Sequence, residues 1–186
     1  LAALNREIRQ LKWTWPFEMG GRITPEKKRL DICRGCSLGC ERLVYQDRNG
    51  REGKFICGQV GFYQGRAQRY YGDQDWSDVP FQAAMLANDY GIDTFALSTM
   101  IIWLSRCYRA GLLTDENTGI PFSRMGSIEF LESLIRKVSL REGFGDVLAG
   151  GEVRASEQVG KESEELITGL RSRGEQGVGY DPRYYI

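Results

Sequence analysis

Three cysteines within eight residues, Cys33-Arg-Gly-Cys36-Ser-Leu-Gly-Cys40, constrain this chain more than any other feature. The glycines between them let the backbone curl its amides toward one centre, which is the geometry a metal site needs. Disulfides suit the run poorly, because adjacent members of such a cluster cannot all pair and a cytoplasmic chain keeps its thiols reduced. Structural zinc usually takes ligands as two separated pairs, often completed by histidine, and here there is no His and no second pair. A C-x2-C-x3-C run is better suited to three corners of a [4Fe–4S] cluster, with zinc as the alternative.

The fourth corner must come from elsewhere, and only Cys57 and Cys107 remain in the chain. Cys107 lies in an apolar helical stretch and reads as core, because free cysteine is among the most buried residue types. Cys57 reads differently, at a strand end beside Gly58, where a side chain can project into a cleft. It is a candidate fourth cluster ligand or a ligand to a second metal.

At 186 residues and 41% hydrophobic, the chain has enough apolar material for one domain over 1–186 without a metal to make it compact. Its 25 basic residues balance 25 acidic ones, so no global field draws it to nucleic acid or an anionic membrane. No run approaches the roughly 20 apolar residues of a membrane span, and the N-terminus lacks signal-peptide architecture, so a cytoplasmic location is expected. The chain opens on Leu1 inside a helical pattern with Leu4, Ile8 and Leu11 on one face, as a piece of a longer protein would. The absence of histidine removes the commonest general base near neutral pH and leaves chemistry to cysteine, carboxylates, tyrosine or a cofactor.

Periodicity predicts a mainly α fold, a helical domain with a small β-hairpin after the cysteine cluster. Helical spacing over 2–12 is broken at Trp13-Thr-Trp-Pro16. Residues 42–46 and 52–57, joined across Asp47-Arg-Asn-Gly50, predict the hairpin, because Asn-Gly takes the positive φ angles of tight turns. Helices are predicted over 60–71, 79–89, 94–110, 127–141, 144–159 and 161–172. Gly91 is placed to end one helix and Asp93 to cap the next, since a carboxylate accepts the orphan amides of a first turn. Phe62-Tyr63 and Tyr70-Tyr71 read as helix core and surface, with packing on a flat ligand the alternative. The charge-rich stretch Glu157–Arg173 reads as a solvated helix face, with docking of an electron-transfer subunit the alternative.

Several segments in order resemble the aldehyde ferredoxin oxidoreductase family of tungsten-pterin enzymes. Besides the cysteine run, Asn88-Asp-Tyr-Gly-Ile-Asp-Thr94 is similar to its pterin-binding D-x-x-G-L-D motif, and Arg109-Ala-Gly-Leu-Leu113 to the end of its next helix. Gly143-Phe-Gly-Asp-Val-Leu-Ala-Gly150 resembles its G-x-G-D-x-L-A segment, and Tyr180-Asp-Pro-Arg183 an element near the close of its middle domain. The resemblance implies the middle, helical domain of a three-domain subunit. The remaining domains of that subunit would supply the bis-pterin cradle and the fourth cluster cysteine. It also implies that Cys33, Cys36 and Cys40 ligate the cluster, and that Asn88, Gly91, Ile92 and Asp93 bind a tungsten bis-pyranopterin, Asp93 through its carboxylate. Asn88 stands where the motif often has Asp, and an amide cannot place a full negative charge there.

One departure is informative. The family's typical aldehyde oxidoreductases carry a G-P-E-Y-E segment soon after the cysteines, and here Phe55-Ile-Cys57-Gly-Gln59 stands in its place. In this the chain resembles the active-site subunit of class II benzoyl-CoA reductase, a branch that uses a cysteine on tungsten. That resemblance implies Cys57 as a catalytic tungsten ligand, a soft donor for a metal already held by sulfur. A non-coordinating pocket thiol is the alternative. It further implies ATP-independent reduction of benzoyl-CoA to a cyclic dienoyl-CoA, an aromatic acyl-CoA substrate and an iron–sulfur electron-transfer subunit as partners. The rival readings are an aldehyde:ferredoxin oxidoreductase and a non-catalytic metal module for electron relay or assembly.

Overall fold

The computed structural model describes residues 26–30, 43–47, 49–55, 57–72 and 78–167. The cysteine run Cys33–Cys40, the stretch 2–16, residues 168–172 and the segment Tyr180–Arg183 lie outside the described residues. The fold is mainly helical, as predicted. A three-stranded antiparallel sheet of β1 (Glu26–Leu30), β2 (Leu43–Gln46) and β3 (Glu52–Phe55) precedes eight α-helices and a 3-10 turn, Phe122–Arg124, among the described residues. The α-helices are α1 (Cys57–Tyr71), α2 (Val79–Asp89), α3 (Thr94–Arg109), α4 (Asp115–Thr118), α5 (Ile128–Leu140), α6 (Phe144–Leu148), α7 (Glu152–Val159) and α8 (Lys161–Glu165).

The predicted hairpin forms with Leu43 opposite Phe55 and Gln46 opposite Glu52. Its turn is longer than a two-residue Asn-Gly loop. The Asp47 carboxylate accepts from the amides of Asn49 and Arg51 at 2.9 and 2.8 Å, and among the described residues of the turn only Gly50 takes a positive φ, +82°. β1 was not legible in the sequence, because Glu-Lys-Lys-Arg-Leu has no apolar alternation; its pairing with β2, Leu30 opposite Leu43, supplies the strand. One correction bears on function. The second strand stops at Phe55, so Cys57 is not a strand-end residue but the first residue of α1, which starts three residues earlier than predicted.

The core forms around α3. Leu97, Ile101, Trp103, Leu104 and Cys107 are buried against Tyr63 and Ala67 of α1, Ala83 and Ala87 of α2, and Leu131, Leu134 and Ile135 of α5. Burying one such large side chain contributes about 1.5–3 kcal/mol, so Phe62 and Tyr63 of α1 together offset the roughly 1 kcal/mol that each of its three glycines costs the helix. Trp103 donates its indole N–H to the Ser163 carbonyl at 3.1 Å, and Arg106 donates to the Leu166 carbonyl at 2.6 Å, tying the last described turn to α3. The buried Tyr63 hydroxyl donates to the Ser127 carbonyl at 2.7 Å and accepts from the Gly126 amide at 3.1 Å. Burial raises its phenol above the ordinary tyrosine value.

The helix predicted over 144–159 is two helices. Gly150-Gly151 interrupts it, with Gly151, the residue that precedes α7, at φ +87°, a conformation that L-residues avoid.

Candidate functional site

The turn between α2 and α3 follows from three residue choices. Pro80 in the first turn suits a helix start, and the buried face Val79, Phe81, Ala84, Met85 and Ala87 carries α2 to Asp89. Gly91, at φ +68°, then reverses the chain in a Schellman motif. The Ile92 amide donates to the Ala87 carbonyl at 2.8 Å, and the Gly91 amide to Asn88 at 3.1 Å. Ile92 folds back against the core, which fixes the exit direction. Asp93 is extended, and its Oδ1 accepts from the Ala96 amide at 2.7 Å as the cap of α3.

The turn is open to solvent. Asn88, Asp89, Tyr90, Gly91 and Asp93 are exposed, a Cβ built at Gly91 would meet nothing, and the ring of Phe95 is exposed beside them. Among the described residues the second Asp93 carboxylate oxygen accepts no hydrogen bond. Arg51 in the hairpin turn pairs with Asp89, so the hairpin and the α2–α3 turn are neighbours. Gly53 of β3 packs so closely on Met85 of α2 that any side chain there would displace the thioether.

The predicted cysteine sites divide. The run Cys33–Cys40 occupies the connection whose ends are Leu30 and Leu43, a directly paired couple in the sheet, and Phe55 continues the same row. Leu30, Leu43 and Phe55, the strand residues next in sequence to the cysteine run and to Cys57, therefore share one end of the sheet. Cys107 is in the core, fully buried, and burial pushes its thiol up to about 11, so it is a protonated packing residue as predicted. Among the described residues no three Cys, His, Asp or Glu side chains group as a metal site.

Two motif-like segments turn out to serve the fold. Gly111, at φ +75°, closes α3 with a second Schellman motif, the Leu112 amide reaching the Cys107 carbonyl at 3.0 Å, and Leu113 is buried. Gly143 takes φ +56°, and Gly145 lies against α5, where a Cβ would stand 2.1 Å from the Lys137 carbonyl oxygen. Phe62 and Tyr63 are buried and Tyr70 is exposed, in keeping with the core-and-surface reading of that aromatic stretch.

A groove of about 650 Å³ that the sequence reading missed runs between α1 and α3. Arg66, Arg69, Arg106 and Arg109 line it, with Phe62, Ile102 and Phe122 among its apolar residues. Its signal in the sequence is two R-x-x-R pairs, 66/69 and 106/109, each three residues apart and so on one helix face.

Residues 10–186 match the family model for aldehyde ferredoxin oxidoreductase, domains 2 and 3. The tungsten-containing aldehyde ferredoxin oxidoreductase of Pyrococcus abyssi is 29% identical over 180 residues, covering 91% of this chain and 27% of the relative. That of Pyrococcus furiosus is 35% identical over 155 residues, covering 80% of this chain and 24% of the relative. The chain thus spans about a quarter of the length of these curated relatives. Among solved structures, the active-site complex BamBC of benzoyl coenzyme A reductase with 1,5-dienoyl-CoA superposes with a TM-score of 0.59 at 26% identity, over 75% of this chain and 20% of that one. On the family match over residues 10–186, this chain belongs to the aldehyde ferredoxin oxidoreductase family of tungsten-pterin oxidoreductases.

Proposed function

We propose that this chain is the middle domain of a catalytic subunit that reduces the aromatic ring of benzoyl-CoA to a cyclic dienoyl-CoA without ATP. The observation that carries the reading is Cys57, which stands where the family's aldehyde oxidoreductases have a glutamate-bearing segment and which heads the 15-residue helix α1. A helix N-terminus favours the thiolate form of a cysteine, the form that ligates metal. The likeness to benzoyl coenzyme A reductase supports the same branch.

The residues of the α2–α3 turn fit a pterin. The Asn88 amide and the second Asp93 oxygen are a solvent-facing acceptor set suited to a heterocycle's amino and ring N–H groups, and Gly91 leaves room for its close approach. Cys33, Cys36 and Cys40 would hold three corners of a [4Fe–4S] cluster, and Cys57 would ligate tungsten. When bound, the cluster supplies single low-potential electrons and the tungstopterin supplies two-electron chemistry. This chain's own contribution is positional. The paired ends of the cysteine connection fix its entry and exit, Gly91 and Asp93 present the turn, and the fully buried Cys107 stays out of the redox chemistry. With no histidine in the chain, the commonest proton donor near neutral pH would have to come from another domain.

A second reading, aldehyde oxidation with electrons delivered to ferredoxin, is favoured by the curated relatives. Cys57→Ser in the full-length subunit separates the two. Under the ring-reduction reading, X-ray absorption at tungsten loses one sulfur scatterer and benzoyl-CoA reduction is abolished. Unchanged sulfur coordination, with turnover of aldehydes, would sink it in favour of the alternative.

A further inference from the structure

We propose that the groove between α1 and α3 binds the phosphate-bearing end of the coenzyme A thioester, with Arg66, Arg69 and Arg109 as its anion contacts; this rests on the ring-reduction reading above. The basic residues gather at one end. The Gly126 amide bonds Tyr63 of α1, and a Cβ on Gly126 would touch the Arg66 carbonyl and Tyr70, while Phe122 of the same turn stacks on Tyr108 at 5.6 Å. That turn brings the second half of α1, with Arg66 and Arg69, to the end of α3, with Arg106 and Arg109.

Helix C-termini attract cations, and Arg69, Arg106 and Arg109 all stand in last turns, so the dipole accounts for their presence on each helix. It does not account for two helices aiming theirs into one groove, where like charges repel. Among the described residues no carboxylate pairs with Arg66, Arg69 or Arg109, and the groove lining contains no acid. Arg66 is half-buried, its guanidinium donating to the Phe62 carbonyl at 3.1 Å; burial, then Arg69 in lesser part, lowers its pKa. An arrangement of this kind suits a bound polyanion.

The shape selects a long ligand with an apolar arm. The groove follows α3 from Ser98 to Arg109, about 16 Å of helix rise, over Phe62, Ile102 and Met125. Its other end, at Ser98, is about 7.5 Å of rise from Asp93 in the turn that faces the pterin in the proposed function. Phosphates at the arginines would thus send a pantetheine arm toward that turn. A concave, partly apolar groove of this volume fits a cofactor-sized ligand better than the flat face of a protein partner.

The test uses the full-length holoenzyme and titrates coenzyme A and inorganic pyrophosphate by calorimetry. Arg69 and Arg109 are exposed, so Arg69→Ala with Arg109→Ala keeps the fold, checked by its melting profile. The expected result is a coenzyme A Kd raised about a hundredfold in the double variant, from two charge-assisted contacts of about tenfold each. Pyrophosphate binding weakens in parallel, and KM for the acyl-CoA rises with kcat unchanged, as for uniform binding. Arg136→Ala, on α5 and paired with Glu142 away from the groove, leaves all three values as in the wild type. Coenzyme A binding within twofold of wild type in the double variant overturns the groove assignment and leaves ring reduction standing. A subunit that binds no coenzyme A and oxidises only aldehydes overturns both.

Discussion

Two glycine turns of this chain meet opposite demands. At Gly145 the fold itself requires glycine, because α6 presses against the end of α5 and the Lys137 carbonyl occupies the space a Cβ would take. At Gly91 nothing crowds the position, and the polar residues beside it, Asn88 and Asp93, face solvent. Both belong to segments that resemble family motifs, but glycine is demanded by packing at the first and by the positive φ of a helix-ending turn at the second. A turn whose polar side chains stand exposed and uncrowded is the better candidate for a ligand. By that criterion the α2–α3 turn suits the ligand-binding role proposed for it, and the Gly143–Gly150 segment is a brace.

The comparison breaks most readily at its packed side. Gly145→Ala drives a methyl group into a backbone carbonyl rather than a flexible side chain, and an expected loss of about 3 kcal/mol should appear in urea unfolding. A loss below about 1 kcal/mol would mean that α6 can slide on α5, and the brace would lose its argument. Gly126→Ala tests a second packed turn. Here φ is +112° and the new methyl meets the Arg66 carbonyl at 2.6 Å, so about 2 kcal/mol is expected from strain and contact together. The same turn carries both hydrogen bonds of the Tyr63 hydroxyl, so its displacement should also alter the near-ultraviolet circular dichroism.

Both turns were legible in outline because their determinants are local. The bounds of α2 follow from Pro80 and Gly91, and those of α3 from Asp93 and Gly111, each a single-residue signal for a cap. The strand β1 was not legible, since Glu26–Leu30 acquires its conformation only by pairing with β2 across the cysteine connection. The break at Gly150-Gly151 was written in the sequence and outweighed by apolar spacing on either side. For the site, the sequence carried the shape of the Asn88–Asp93 turn and the core position of Cys107. It did not carry the arginine groove, which exists only because α1 and α3, distant along the chain, lie side by side. Nor did it carry Cys57 as a helix-opening residue, because three glycines in α1 mask its helical character.

On the open side the expected effects on stability are smaller and those on the cofactor larger. Gly91→Ala places an L-residue at φ +68° with no clash, costing about 1 kcal/mol by thermal unfolding. Asp93→Ala removes the cap of α3 and costs a similar amount, about 1 kcal/mol, while Asp93→Ser keeps a capping oxygen and restores most of it. If Asp93 binds pterin as proposed, both variants of the full-length subunit lose tungstopterin by metal and pterin analysis. Cofactor retained in Asp93→Ser and lost only in Asp93→Ala would make Asp93 a cap and nothing more, and the two turns would then be of one kind.

The smallest expected effect has the opposite sign. Arg141 ends α5 at φ +54° in a Schellman motif, the Glu142 amide reaching the Lys137 carbonyl at 2.9 Å. It is the one non-glycine residue with positive φ among the described residues. A left-handed conformation costs an L-residue about 1–2 kcal/mol, and glycine removes most of that cost while adding some entropy to the unfolded chain. Arg141→Gly also deletes the exposed ion pair with Asp146 at 2.8 Å, worth about 0–1 kcal/mol and screened by salt. The balance is a net gain of about 0.5 kcal/mol, larger at high salt, where the lost pair matters least. A stability loss that persists at high salt would show that Arg141 serves the packed junction of α5 and α6 through more than its charge. The brace would then extend from Gly145 back into the preceding turn.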